Sequence, residues 1–215
     1  FSNDEKLPEF DIHCPLLSLP FKFSTTLQSI PFSDKYLFPN KNRIFKWKKS
    51  FDNQYLNIGI NWQASPNPDL DKGRSFKLKY FNEISIMDKI KLHCLQKIYG
   101  LNQVKEFSKQ FKLNIFDNFD EDAPFVDTAA IIENLDLIIT CDTSIAHLAG
   151  GMGKKVWLLL RDIPYWTWGM EKENTFWYPS MKLFRQKERH NWQEVMERVS
   201  SELKNEIEVK SNSRK

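Results

Sequence analysis

The sequence has few of the residues that build disulfide-stapled or membrane-spanning proteins. Only three cysteines occur among 215 residues, at positions 14, 94 and 141. Their odd number and wide spacing argue against a disulfide framework or a zinc knuckle and favour a reducing, cytoplasmic compartment. No apolar run approaches the roughly 20 residues that a membrane-spanning helix needs. Because the chain begins at Phe1 without a methionine, we expect a fragment of a longer protein and conclude nothing about targeting segments.

Signatures of dinucleotide, ATP and metal sites are missing as well. No Gly-x-Gly-x-x-Gly follows a strand-like run, which disfavours a nicotinamide-dependent oxidoreductase, and no Walker glycine–lysine loop occurs. The histidines, at positions 13, 93, 147 and 190, lack metal-ligand spacing. We therefore expect neither a metal nor a cofactor. The net charge is +3 with acids and bases interspersed, so a nucleic-acid partner is not indicated either.

The first 55 residues differ in pattern from the rest. Prolines at positions 8, 15, 20, 31 and 39 interrupt every potential helix, and the apolar patches between them are short. Residues 1–55 are therefore predicted to be irregular. They could form an arm lying on a folded body, or the end of a preceding domain with its linker.

From residue 56 to 209, strand-like and helix-like segments alternate. This rhythm predicts an α/β fold with a doubly wound parallel sheet, and residues 210–215 are expected to fray. Ligands of such sheets bind beyond the carboxyl ends of the strands. The predicted strands are 56–62, 91–96, 113–116, 137–139, 156–160 and 181–184. Helices are predicted within 76–89, at 102–111 after the cap Asn102, at 128–134 after the cap Asp127, and at 192–207 after the cap Asn191.

One stretch combines the features of an anion site. The apolar run 137–139 leads to Asp142, Thr143 and Ser144, and a helix of small residues ending in glycines follows. Free amide N–H groups at such a helix start favour an anion. Thr143 and Ser144 are predicted to hold phosphate oxygens, and Asp142 to take sugar hydroxyls or cap the turn. His147, one helical turn later, could donate to phosphate. The alternative is that Thr143 and Ser144 only cap the helix and His147 is a core histidine.

Two cations and an aromatic loop complete the predicted edge. Arg74 lies in the polar loop 63–75, from which a guanidinium can reach two phosphate oxygens. Lys97 follows the second strand and belongs to the same edge. The tryptophans within residues 162–179 could stack on a sugar or base, but we expect them to cover the core.

Residues 142–160 resemble the donor-site segment of the heptosyltransferase-like, family 9-like glycosyltransferases. They read Asp-Thr-Ser-Ile-Ala-His-Leu-Ala-Gly-Gly-Met-Gly-Lys-Lys and continue into the apolar strand Val-Trp-Leu-Leu-Leu. The resemblance is closest to the branch found as the C-terminal region of bacterial tetratricopeptide-repeat proteins. Further stretches resemble the family in the same order, at 11–20, 58–67, 95–97, 125–132, 177–179 and 183–186.

The resemblance implies a GT-B architecture, in which two Rossmann-like halves face each other across a cleft. The C-terminal half would bind a nucleoside-diphosphate sugar without a metal. This chain would be that half, with residues 1–55 as the end of a missing N-terminal half. Because the family's catalytic base lies in the N-terminal half, the fragment alone would bind a donor without transferring its sugar.

The resemblance also implies roles for the predicted site residues. Thr143 and Ser144 would hold the diphosphate, and Arg74 would meet phosphate. Asp142 and His147 would lie beside the donor.

Two departures from the family leave the donor open. Ser144 stands where heptosyltransferases have glycine, and the region where they place a carboxylate for the ribose reads Gln96-Lys97-Ile98. The alternative function is non-enzymatic, as a degenerate interaction domain of a tetratricopeptide-repeat protein.

Overall fold

The computed structural model describes residues 6, 8–30 and 34–212, apart from the side chain of Leu70. The chain divides into two compact units, residues 1–32 and 33–215. In the first unit, a 3-10 helix (Leu16–Ser18) precedes the short helix α1 (Leu19–Lys22), and neither element contains a buried residue.

The second unit is built on a six-stranded sheet in which every neighbouring pair is parallel. The strand order is β3-β2-β1-β4-β5-β6, the doubly wound order of Rossmann-like sheets, so the α/β fold predicted from the sequence is confirmed. The order reverses between β1 and β4, and the carboxyl ends of these strands border the ligand crevice of such sheets. The strands are β1 (Leu56–Asn61), β2 (Ile90–Cys94), β3 (Leu113–Asn114), β4 (Leu137–Cys141), β5 (Val156–Leu160) and β6 (Met181–Arg185).

Seven helices of this unit are α2 (Lys41–Lys48), α3 (Pro68–Asp71), α4 (Asn82–Ser85), α5 (Asn102–Phe107), α6 (Val126–Glu133), α7 (Ser144–Gly151) and α8 (Trp192–Asn212). Two 3-10 helices, Leu78–Phe81 and Trp166–Trp168, lie between them. The predicted tail 210–215 starts inside α8, and its last three residues lie outside the described part. No helix of the described residues combines the length and apolar character that crossing a bilayer requires.

The predicted helix caps are confirmed at one position and wrong at two. Asn191 Oδ1 accepts the amide of Glu194 at 3.1 Å, as expected for a cap of α8. Asn102 and Asp127 lie inside the first turns of α5 and α6 instead. Asp120, seven positions before Asp127, caps α6 instead. Its Oδ1 accepts the amides of Asp127 at 2.7 Å and Thr128 at 2.9 Å.

The stretch 1–55 is less irregular than the prolines suggest. Helix α2 contains no proline and begins after Asn40, whose side chain accepts the amide N–H of Asn42 at 2.9 Å. It docks on α6 through the buried carboxylate of Asp127, which accepts Arg43 Nη1 at 3.1 and 3.0 Å and Trp47 Nε1 at 2.8 Å. Burial raises the pKa of Asp127, but the bonds from Trp47, the Asp120 amide and Arg43 together lower it below its ordinary value.

The sheet is covered on both faces. Alternate residues of β4 belong to two different hydrophobic cores, with Leu137 and Ile139 in one and Ile138 in the other. Gly59 lies in the middle of β1, where a Cβ would be 2.5 Å from Leu135 Cδ1 and 2.7 Å from Leu95 Cδ1. The leucines thus occupy the space above the glycine.

We expect Gly59→Ala to destabilise the protein by about 1–3 kcal/mol, because an added methyl in a packed core forces its neighbours to shift. Denaturant unfolding measures this loss. The loss should be smaller when Leu135→Ala has already emptied part of the space. An equal loss in both backgrounds would contradict the packing explanation.

His93 is a buried histidine with both ring nitrogens occupied. It is 1 % exposed, its Nε2 lies 2.9 Å from Asn57 Oδ1, and Asn114 Nδ2 donates to its Nδ1 at 3.0 Å. Nε2 is therefore the protonated nitrogen, since Asn57 Oδ1 can only accept. Burial, helped by the charge of Lys91, lowers the pKa of His93 to about 4.

The stability of the fold should therefore decline as the pH falls from 6.5 towards 4. In this window the unfolded chain protonates His93 and the folded chain does not, which costs up to about 1.4 kcal/mol per pH unit. Urea unfolding at several pH values measures the slope. In His93→Gln the slope should be smaller than in the wild type, and identical slopes would exclude this role.

Candidate functional site

The turn from β4 into α7 lies at the carboxyl edge of the sheet, beside the reversal of strand order. Thr143, the N-cap residue of α7, is extended with φ of −141° and makes no capping hydrogen bond. Its hydroxyl donates instead to Asn61 Oδ1 at 3.0 Å. The alternative that Thr143 caps the helix is therefore wrong, and no side chain of the described residues accepts a hydrogen bond from the first amides of α7.

A buried side chain at the end of β1 holds this turn in place. Asn61 is 4 % exposed, and its Oδ1 also accepts the hydroxyl of Thr140 at 3.3 Å. Its Nδ2 donates to Gln96 Oε1 at 3.0 Å. The ends of three neighbouring strands are thus joined through one amide. The sequence analysis did not single out Asn61, although a polar residue closing an apolar strand at the rim could have pointed to it.

Gln96 has all its polar side-chain atoms engaged. Its Oε1 accepts the amides of Trp62 at 3.2 Å and Gln63 at 3.1 Å besides the Asn61 side chain. Its Nε2 donates to the carbonyl of Gln63 at 2.8 Å. Gln96 therefore fastens the loop after β1 to the end of β2.

Two cavities of different chemistry open beside the turn. Asp142 and Thr143 are consecutive in the sequence, but each of them lines a different cavity. The first, here the apolar cavity, has about 380 Å³ and includes Thr143, Ser144 and Lys97 in its lining. Its apolar lining comprises Leu95, Ile98, Tyr99, Pro124, Phe125 and Ile145. The second, here the charged cavity, has about 410 Å³ and is lined by Asp69, Lys72, Arg74, Asp142, His147 and Arg161, among others.

The structure thus brings the six predicted site residues to one edge but divides them. Thr143, Ser144 and Lys97 line the apolar cavity. Arg74, Asp142 and His147 line the charged cavity.

Lys97 is largely engaged by the protein. Its Nζ donates to the carbonyls of Phe119 at 2.9 Å and Asp120 at 3.2 Å. The ammonium thereby fixes the loop that precedes α6. The Asp120 carboxylate also lies near, with its Oδ2 3.9 Å from Nζ.

Arg74 and Asp142 are poorly satisfied within the protein. Arg74 Nε is buried and has no hydrogen-bond partner among the described residues. Asp142 is 8 % exposed, and its carboxylate makes no hydrogen bond or ion pair to other parts of the described chain. Buried polar groups are normally paired, so both side chains indicate a place where a ligand or water completes the pairing.

His147 is not a core histidine, because its side chain is exposed at the charged cavity. One face of its ring stacks on Trp168, with 5.0 Å between ring centroids and an interplanar angle of 27°. Its Nδ1 lies 3.0 Å from the Tyr178 hydroxyl. Burial by these rings lowers the pKa of His147, although the charge of Asp142 raises it in part.

The aromatic loop behaves in two ways. Trp168 is 3 % exposed and belongs to the hydrophobic core, as expected for a residue that covers the core. Trp166 is 71 % exposed.

In the described ranges, no three His, Cys, Asp or Glu side chains come together as a metal-ligand set.

Two solved structures with a similar fold are glycosyltransferases. The chain matches E. coli ADP-heptose lps heptosyltransferase II with a TM-score of 0.61 and 10% identity, over 87% of this chain and 58% of that chain. It matches the glycosyl transferase family 9 protein from Veillonella parvula DSM 2008 with a TM-score of 0.51 and 12% identity, over 70% of this chain and 42% of that chain. The likeness is one of fold.

The predicted fold resemblance to heptosyltransferase-like glycosyltransferases is thus confirmed. The chain spans about half the length of these two proteins. No protein-family profile matches the sequence, and no curated protein does. The tetratricopeptide-repeat setting is not tested by these matches and stays a prediction.

Thr143 and Ser144 offer a matched pair for testing the turn. We expect Thr143→Val to destabilise the protein by about 1 kcal/mol, because the buried Asn61 Oδ1 loses the closer of its two hydroxyl donors. Ser144→Ala should leave stability unchanged, since the exposed Ser144 hydroxyl has no partner among the described residues. Denaturant unfolding without any ligand distinguishes the two. Equal stabilities of the two variants would contradict the role given to Thr143.

Proposed function

We propose that this chain is the donor-binding part of a glycosyltransferase and that its ligand is a nucleoside-diphosphate sugar. The observation that carries the proposal is the position of the α7 amino terminus, which lies between the apolar cavity and the charged cavity. The sheet that positions it belongs to a fold that glycosyltransferases share. Such a donor has three parts, namely a flat base, a diphosphate and a polar sugar. Each part has a matching environment at this edge.

The base is assigned to the apolar cavity. Tyr99 and Phe125 are both partly exposed in its lining, at 43% and 44%, and aromatic faces favour stacking with a planar ring. The volume of about 380 Å³ falls within the range of small-molecule sites, about 300–1,000 Å³. Gln96 would not hold the ribose, because its amide is used within the protein.

The diphosphate is assigned to the start of α7. The uncapped amides and the helix dipole favour negative charge there, and the Ser144 hydroxyl is free to donate. Arg74 Nε, buried without a partner in the described structure, would gain an acceptor. Thr143 has a different role from the one predicted, since its proton points to Asn61 and it orients the turn.

The sugar is assigned to the charged cavity, where Asp142 can accept its hydroxyl groups. Transfer would break the bond between the anomeric carbon and the diphosphate as an acceptor oxygen bonds to that carbon. Arg74 and the α7 amides would stabilise the negative charge that the diphosphate gains. The proton of the acceptor would go to a base outside this chain, so the chain alone would bind without transferring. No metal or cofactor enters this proposal.

A second candidate function is a non-catalytic interaction domain. It is favoured by the first unit, in which large apolar side chains are exposed; Ile12, Leu16, Leu17 and Phe21 are each 78–94% exposed. Exposed apolar clusters of this kind mark protein–protein contacts. This observation is compatible with donor binding by the second unit.

Isothermal titration with ADP, UDP, GDP and CDP tests the proposed function. We expect one of them to bind the wild type, and Arg74→Gln to weaken that binding roughly tenfold to hundredfold, because hydrogen bonds to charged groups contribute about 1.5–3 kcal/mol. Arg189→Gln is the matched control, since Arg189 is exposed and lines neither cavity. Absence of binding by all four nucleotides would overturn the proposal and favour the interaction domain.

A further inference from the structure

A buried tyrosine, Tyr178, is the polar partner of His147, and a second tyrosine, Tyr36, is its neighbour. The Tyr178 hydroxyl is 3.0 Å from His147 Nδ1, and burial together with the neighbouring Tyr36 raises the pKa of Tyr178. Tyr178 is 8 % exposed and Tyr36 50 %. The Nδ1 atom of His147 therefore has a buried phenol as its hydrogen-bond partner.

Two glycines of α7 make room for these tyrosines. A Cβ on Gly150 would lie 2.5 Å from Tyr178 Cγ, and a Cβ on Gly151 would lie 3.0 Å from Tyr36 Cζ. The Gly151 carbonyl also accepts the amide of Tyr36 at 2.9 Å. Gly150 and Gly151 follow His147 by three and four residues, so they lie on its face of the helix, one turn later. Any larger residue at either position would displace a ring.

The direction of the hydrogen bonds follows from acidity. A phenol O–H is a far stronger acid than a neutral imidazole N–H, so the bond from Tyr178 to an unprotonated Nδ1 is the stronger arrangement. Burial and the neighbouring Tyr36 raise the pKa of Tyr178, so the phenol keeps the proton that it donates. With Nδ1 accepting, the proton of neutral imidazole resides on Nε2.

We propose that Tyr178 is a positioning residue that holds His147 as the Nε2–H tautomer and so presents a neutral N–H donor to the charged cavity. Nε2 itself has no partner in the described part of the chain. The identity of the acceptor rests on the proposed function, in which it is an oxygen of the diphosphate or of the sugar. A general-base role for His147 is not available in this arrangement, because the lone pair of Nδ1 is already used.

The surroundings keep the ring neutral. Packing on Trp168 and Tyr178 lowers the pKa of His147, and the nearby carboxylate of Asp142 opposes this shift. The other charged residues that line the cavity are Asp69, Lys72, Arg74 and Arg161. A neutral donor beside these cations adds no further repulsion to them. It can still bond an anionic oxygen at neutral pH.

Nuclear magnetic resonance of the protein labelled with ¹⁵N-histidine reads the tautomer directly, without any ligand. His147→Gln identifies the signals of His147. We expect a protonated Nε2 and an unprotonated Nδ1 in the wild type. In Tyr178→Phe, which keeps the ring and removes the hydroxyl, we expect a mixture of tautomers and a His147 pKa closer to its ordinary value.

Tyr165→Phe is the matched control, since Tyr165 lines the charged cavity and makes no side-chain hydrogen bond to described residues. It should leave the tautomer and the pKa of His147 unchanged. A wild-type His147 protonated on Nδ1, or a Tyr178→Phe variant with unchanged signals, would overturn the proposal. A merely structural role of Tyr178 would lower stability without changing the tautomer.

The link to the ligand is tested separately, by calorimetric titration of Tyr178→Phe with whichever nucleoside diphosphate binds the wild type. We expect the affinity to fall roughly threefold to tenfold, as for loss of one well-aligned hydrogen bond. If the wild type binds no nucleotide, the proposed function fails while the resonance measurement still decides the tautomer. If nucleotides bind but the tautomer is wrong, only the present proposal fails.

Discussion

The candidate site depends on the buried amide of Asn61. In a parallel sheet the strand ends carry polar groups into a region that the flanking helices shield from water, and unpaired groups there cost free energy. Asn61 satisfies the hydroxyls of Thr140 and Thr143 and the oxygen of Gln96 at once. Because these partners come from the ends of β2 and β4, the amide joins both to the end of β1 and fixes how β4 turns into α7. The orientation of the first amides of α7 follows from this single side chain.

The same constraint explains why Thr143 and Ser144 differ although they are adjacent and chemically alike. One hydroxyl faces the sheet and is used within the protein, and the other is exposed at the cavity. A helix start with no side-chain acceptor is otherwise unfavourable. The protein tolerates such a helix start here because hydrogen bonds to the sheet hold the turn. The first amides of α7 therefore stay available to a ligand.

Much of the fold follows from local pattern, since apolar runs that are buried on both faces are characteristic of parallel strands. β4 and β5 were predictable because every residue in them is buried. The site residues on the β4–α7 turn were predictable for the same reason, as polar residues that interrupt an apolar run. Helix α2 was not predictable in this way. The prolines of residues 1–55 all precede it, and their number says nothing about the eight residues after them that form the helix.

Other features depend on contacts between residues far apart in sequence, which no local pattern contains. Asp120 caps α6 from a loop, whereas the local sequence pattern predicts Asp127 as the cap. Gln96 follows β2, and the sequence indicates only that it stands where the family has a carboxylate for the ribose. In the structure, its Oε1 joins the end of β1 to the end of β2. The division of the predicted site into two cavities likewise needed the positions of Pro124 and Phe125, which come from the loop before α6.

Asp127 connects the segment before the sheet with the apolar cavity. Its carboxylate accepts Arg43 and Trp47 from α2 on one side and the amide of Asp120 on the other, at 3.1 Å. Asp120 in turn holds α6, and its carbonyl accepts Lys97 at 3.2 Å. Loss of α2 would leave a buried carboxylate without its cations, a strongly destabilising change. Since Asp120 and Lys97 line the apolar cavity, α2 is part of what shapes that cavity, and the folded unit that carries the site begins before β1.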